Sequence, residues 1–171
     1  MPALSAAAQT SDSALFEPLR QVMQHPRCQN CHTSGDAPRQ SDRGSAHQPP
    51  VRRGPEGKGV GAMQCATCHL EQNARSPTLR REVPGAPGWR MPPPEAPMVF
   101  REAEPRALCE ALKDPDRNGK RSREQLGRHM TEDALLAWAW NPGAGLARPP
   151  LTRDEFNAAA IAWLRAGAPC P

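Results

Sequence analysis

The sequence predicts a mostly α-helical fold with long irregular coil, and three observations lead there. The C-terminal part of the chain has helical apolar spacing bounded by recognisable caps. No stretch keeps the period-two alternation of a strand. The 21 Pro and 13 Gly among 171 residues break much of the remainder into coil. Apolar residues make up 37%, below the roughly 45–50% of ordinary globular chains, and there are only three Phe, four Trp and no Tyr. A chain this poor in large side chains has difficulty offsetting the entropy of folding with its own core. It needs cross-links or a large apolar ligand.

The elements follow in order. Residues 11–24 place Leu15, Phe16, Leu19, Val22 and Met23 at helical spacing behind Ser11 or Asp12 as N-cap. Pro18 predicts a kink or a later start near Glu17, and Pro26 ends the helix. Residues 33–62 are polar and aperiodic and read as loop; a short helix is expected over 63–73. Residues 84–97 hold six prolines and read as extended coil. Residues 104–113 form a helix with Pro105 in its first turn, where the missing N–H costs nothing. Ser122 and Gln125 have capping-box spacing for a helix to about Met130, with Thr131 as the cap of a continuation through Trp138 and Trp140. Pro142 and Gly143 stop it. Thr152 and Glu155 form a second capping box, opening a helix whose Phe156, Ala160, Trp163 and Leu164 share one face and which Gly167 closes.

Two motifs carry chemistry. Cys28-Gln29-Asn30-Cys31-His32 and Cys65-Ala66-Thr67-Cys68-His69 both have the Cys-x-x-Cys-His pattern of covalent c-type haem attachment. Two thiols three residues apart can add across two vinyl groups, and the adjacent His then lies under the iron as proximal ligand. Paired Cys-x-x-Cys elements also bind zinc, but zinc leaves the His after both pairs unexplained. The cofactors expected are therefore two covalently bound haem c groups, held by Cys28, Cys31, Cys65 and Cys68, with His32 and His69 as proximal ligands. The chain is read as a single domain over 1–171. Residues 28–75 form the attachment region, and residues 99–171 form a helical region completing the pocket of the first haem. Cys109 and Cys170 remain, an even remainder that suggests a disulfide in an oxidising compartment.

The sixth ligand of each iron separates electron transfer from catalysis. His25 sits three residues before Cys28, on the attachment side, and is poorly placed to reach the opposite face. His47 lies in the loop between the motifs and can reach either distal face. His129 lies on the capped helix, four residues from Asp133. Met63, Met91, Met98 and Met130 are the sulfur candidates. His129 is the expected distal ligand of the first haem, with Met98 as the alternative and Met91 behind it.

Residues 28–75 resemble the dihaem small subunit of periplasmic nitrate reductase. The likeness is carried by Gly35-Asp36-Ala37-Pro38-Arg39, His47, Arg52-Arg53 and Cys65-Ala66-Thr67-Cys68-His69-Leu70-Glu71-Gln72. It implies bis-histidine ligation, with His47 as distal partner of His69 on the second haem. It covers about 50 of the 171 residues. The family's distal His for the first haem, within an Ile-Pro-rich segment before the first motif, has no counterpart here, and neither does the helical half. The remaining chain is similar in motif and size to exported dihaem cytochromes c that serve dehydrogenases.

Asp114-Pro115-Asp116-Arg117-Asn118-Gly119 matches the beginning of a calcium loop, but position twelve is Gln125 rather than Glu, so a turn held by Asn118-Gly119 is expected. The formal charge of +4 is offset by four haem propionates, so the basic clusters at Arg52, Arg53 and Lys58 and at Arg117, Lys120, Arg121 and Arg123 do not argue for nucleic acid. No run of about 18 apolar residues is present, so no transmembrane helix is expected. The opening segment lacks a complete signal peptide, and the chain is read as an exported, periplasmic form after removal of its signal. The expected function is electron transfer between a dehydrogenase or reductase and another redox protein, not enzymatic catalysis. The alternative is a peroxidase-like enzyme or sensor with one open axial site.

Overall fold

The computed structural model describes residues 14–77 and 81–171. The expected N-caps Ser11 and Asp12 lie outside the described residues. A 3-10 turn, Ala14–Phe16, leads into α1 (Glu17–Met23), with Pro18 accommodated in the first turn rather than kinking a longer helix. Pro26 does two jobs. It stops α1, and it opens α2 (Pro26–Gln29), a single helical turn that carries Cys28. The C-terminal helices are α3 (Pro105–Lys113), α4 (Arg123–Glu132), α5 (Ala134–Ala137) and α6 (Arg153–Arg165).

Both capping boxes form. Ser122 accepts from the Gln125 N–H and Gln125 bonds back to the Ser122 N–H; Thr152 and Glu155 repeat the arrangement. The continuation after α4 is capped differently from the sequence expectation. Asp133 Oδ1 accepts from Leu135 N–H at 2.8 Å and Leu136 N–H at 3.3 Å, while Thr131 donates back to the Gly127 carbonyl at 2.9 Å. Thr131 is already inside α4, where its hydroxyl finds the carbonyl four residues back.

Three short antiparallel hairpins correct the expectation of no strands: β1–β2 (Arg39–Gln40 with Ser45–Ala46), β3–β4 (Gly59–Val60 with Met63–Gln64) and β5–β6 (Ala74–Ser76 with Arg81–Val83). They are two or three residues long, too short to show alternation in sequence. The helix expected over 63–73 is absent. Met63 and Gln64 pair instead with Val60 and Gly59, and only the 3-10 turn Cys65–Thr67 is helical. The segment has no apolar stripe, so nothing rewards a helix against the core. The proline-rich stretch is coil, as expected. It is tied to the loop before the second motif by the Met91 N–H, which donates to the Gly57 carbonyl at 2.9 Å. Gly57 has φ +75° and a Cβ there would lie 1.9 Å from the Met91 carbonyl oxygen, so a side chain cannot be accommodated.

The core is built by α1, α3, α4 and α6. Phe16, Leu19, Val22, Leu108, Leu112, Leu126, Met130, Phe156, Ala160 and Trp163 form one buried cluster, and Cys28 and Met98 pack at its edge. The first attachment motif therefore rests on the helical half. Further ties cross between the halves: Trp138 Nε1–H donates to Asn73 Oδ1 at 2.9 Å, and Asn73 donates to the Asn141 carbonyl at 2.9 Å. The calcium-like segment is a turn. Asn118 is buried and donates to the Leu112 and Arg121 carbonyls while accepting from the Arg121 N–H, so its side chain is committed to backbone.

Cys109 and Cys170 are joined in a disulfide across a sequence separation of 61, fastening α3 to the C-terminus. Closing a loop of that length constrains the unfolded chain by about 4 kcal/mol. A Cys109→Ala/Cys170→Ala double variant is expected to lose about that much stability in urea titrations. Unchanged stability would mean that core packing alone holds the loop.

Candidate functional site

The two motifs fold into the same local turn although their surroundings differ. In the first, Cys31 N–H and His32 N–H both bond to the Cys28 carbonyl, at 3.2 and 3.1 Å; in the second, Cys68 N–H and His69 N–H bond to the Cys65 carbonyl, at 3.2 and 2.9 Å. One helical turn thus brings two thiols and an imidazole to the same side of the chain. All four thiols are free. Burial pushes the Cys28 thiol up to about 12, helped by Cys31, and the Cys31 thiol up to about 11, helped by Cys65. Among the described residues no three His, Cys, Asp or Glu side chains converge as a metal cluster.

The histidines following the motifs are held alike. His32 Nδ1–H donates to the Met98 carbonyl and His69 Nδ1–H to the Pro84 carbonyl, both at 2.7 Å. Each ring lies flat against an aromatic side chain: His32 on Phe100 (centroids 3.8 Å apart, planes within 4°) and His69 on Trp89 (4.4 Å, 5°). The proline-rich coil between them thus supplies a carbonyl at each end and one of the two stacking rings. Within this coil only the Ala96 N–H to Pro93 carbonyl bond, at 3.0 Å, is found among the described residues, which leaves the other carbonyls available for this. Burial lowers the His32 pKa to about 3, with the Met98 carbonyl opposing and the His129 charge adding to the effect. His69 is lowered too, by burial first, with the Pro84 carbonyl opposing and His47 adding. Both imidazoles are therefore neutral, the form a metal requires.

His47 and His129 follow the same rule. His47 Nδ1–H donates to the Pro49 carbonyl at 2.8 Å, and His129 Nδ1–H to Asp133 Oδ2 at 3.0 Å. In all four imidazoles Nδ1 is engaged with an oxygen acceptor, and no hydrogen bond to their Nε2 atoms is found among the described residues. His25 is the exception. Its Nδ1 accepts from the Arg27 N–H at 3.3 Å as the N-cap of α2, so its proton is on Nε2.

Two of the four lie together. The His47 and His69 rings lie 5.9 Å apart at 59°. Two imidazoles on opposite sides of one metal, at bonds of about 2 Å, have centroids about 6 Å apart. Met98 lies on the Nδ1 side of His32, because its own carbonyl receives that proton. Met91 is buried, and its backbone is bonded to Gly57. Beside His69 a cleft of about 820 Å³ opens, bounded by Ala66, Leu70, Ala86, Pro87 and Trp89 among others. A second space of about 800 Å³ is lined by Asn73, Glu82, Trp138 and Asn141 among others; no cysteine or histidine lines it.

Two arginines near the motifs are structural. Arg53, expected in a basic loop cluster, is buried and donates to the Pro92, Thr33 and Gly35 carbonyls. Arg27 is buried and paired with Asp42 at 2.5 Å, next to Cys28. Phe100, Trp89, Asp133 and the Met98 and Pro84 carbonyls were not marked as site groups by the sequence motifs. Only the spacing of Asp133 from His129 pointed to any of them.

Searches against protein-family models, curated proteins and solved structures each find no match to this chain. No helix among the described residues is long and apolar enough to cross a membrane.

Proposed function

We propose that the chain is an exported dihaem c-type cytochrome that transfers electrons between a dehydrogenase or reductase and another redox protein. The observation that carries this reading is the common state of four imidazoles. His32, His69, His47 and His129 each have Nδ1 engaged with an oxygen acceptor, the His47 ring lies 5.9 Å from that of His69, and the thiols of both motifs are free.

The residues fit the group. Cys28 and Cys31 would hold the first haem and Cys65 and Cys68 the second. Once attached, each haem supplies a one-electron ferric/ferrous couple. The protein's part is to fix the ligands. The Met98 and Pro84 carbonyls hold the tautomer of His32 and His69, while Phe100 and Trp89 restrict their rotation. The separation of His47 from His69 supports bis-histidine ligation there, in agreement with the resemblance of residues 28–75 to the nitrate reductase subunit. The position of Met98 on the Nδ1 side of His32 favours His129 as the other ligand of the first haem. With His32 and His129 held by the first haem and His69 and His47 by the second, no position for a substrate would be left at either iron. The Cys109–Cys170 disulfide agrees with an oxidising compartment.

The test is expression with a haem-attachment system, followed by mass spectrometry and low-temperature spectroscopy. Two covalent haems with only low-spin, bis-imidazole signatures are expected. A high-spin ferric band, or rapid CO binding to the reduced protein, would instead establish an open axial site and a peroxidase-like or sensory role. Recovery of the native complex would identify the partners.

A further inference from the structure

Three of the four imidazoles hand their Nδ1–H to a neutral backbone carbonyl: His32 to Met98, His69 to Pro84 and His47 to Pro49. His129 alone hands it to a carboxylate. That carboxylate is firmly placed. Its Oδ2 takes the His129 proton at 3.0 Å, and its Oδ1 caps α5 through the Leu135 and Leu136 N–H groups. Arg153 lies near enough for its charge to act on Asp133, but its guanidinium sits 4.7 Å over the Trp140 ring, and among the described residues no hydrogen bond joins it to Asp133. The anion is thus bound chiefly to the imidazole and to the helix N-terminus.

We propose that Asp133 is a positioning residue that makes His129 the strongest donor of the four imidazoles and thereby sets the first haem site at the lower reduction potential. The inference rests on the proposed ligation of the first haem by His32 and His129. An Nδ1–H shared with an anion leaves more electron density on Nε2 than one shared with a carbonyl, and a more basic ligand favours the ferric state. Among the described residues no such carboxylate serves His47 or His69. In the half-reduced protein the single electron accordingly resides on the second site. Reaching it from the first requires no proton transfer and no change in bonding.

The test is Asp133→Asn, which removes the charge and leaves one acceptor oxygen, enough for the α5 cap or for the His129 N–H but not for both. Spectroelectrochemical titration is expected to show the lower of the two potentials rising, with the higher one unmoved. The expected size is about tenfold in the oxidised-to-reduced ratio at fixed applied potential, ~59 mV for one electron. Asp133→Ser, a second capping residue without charge, should give the same direction. A merely structural role for Asp133 would move both potentials or neither. If both stay fixed while the low-spin bis-imidazole spectrum persists, the inference fails and the ligand assignment stands. A rise in the higher potential alone would also overturn it. If His129→Ala leaves the wild-type spectrum unchanged, the ligand assignment itself fails, and the inference with it.

Discussion

Replacing His47 by Ala is expected to convert the second haem, and only the second, from low-spin to high-spin. The His47 ring lies 5.9 Å from that of His69, and its Nδ1 is tied to the Pro49 carbonyl at 2.8 Å, so Nε2 is directed by a bond internal to its own loop. No other imidazole is paired with His69 in this way. The measurement is the ferric optical spectrum together with CO binding to the reduced protein. One haem of the two should acquire a high-spin band and bind CO, and added imidazole should restore the original spectrum. On the proposed ligation by His129 of α4, the first haem should be unaffected, which also allows the two potentials to be assigned to their sites. An unaltered spectrum would show that another residue holds the sixth position.

Trp163→Ala should have the largest effect on stability. Trp163 is fully buried in α6, with its ring 5.6 Å from that of Phe16, and its Nε1–H donates to the Pro169 carbonyl at 2.9 Å. Truncation removes the largest side chain of the core, leaves a cavity and strands a carbonyl. The expected cost is about 3–5 kcal/mol, a fall in Tm of roughly 10 °C for a chain of this size. Because α6 packs on α1, which leads directly into the first motif, the loss should loosen the first haem site more than the second. Urea titration followed separately at the two haem bands would report this. A Trp163→Phe variant, which keeps most of the volume, should lose considerably less.

The helical part of the fold was legible because its signals are local. Ser122 with Gln125 and Thr152 with Glu155 are spaced to satisfy each other's backbone groups within one turn, and both boxes form. The hairpins were not legible. Met63 and Gln64 lie in a segment without a stripe, and their partners, Val60 and Gly59, are chosen by a tight turn rather than by a pattern. Thr131 and Asp133 both suit a cap; Asp133 takes the role because α4 extends past Thr131 to Glu132.

The same division runs through the candidate site. The sequence by itself determined the two attachment motifs, the identity of the following histidines and the short list of other histidines and methionines. These rest on covalent spacing within five residues, which folding does not alter. Only the tertiary structure decided which groups surround those histidines. The bond from His32 to the Met98 carbonyl spans 66 positions and that from His69 to Pro84 spans 15. Backbone carbonyls carry no mark in a sequence, since every residue has one. Which carbonyl meets which imidazole is set by how the proline-rich coil lies across the two motifs, and that path is held by contacts distant in the chain, such as Met91 with Gly57.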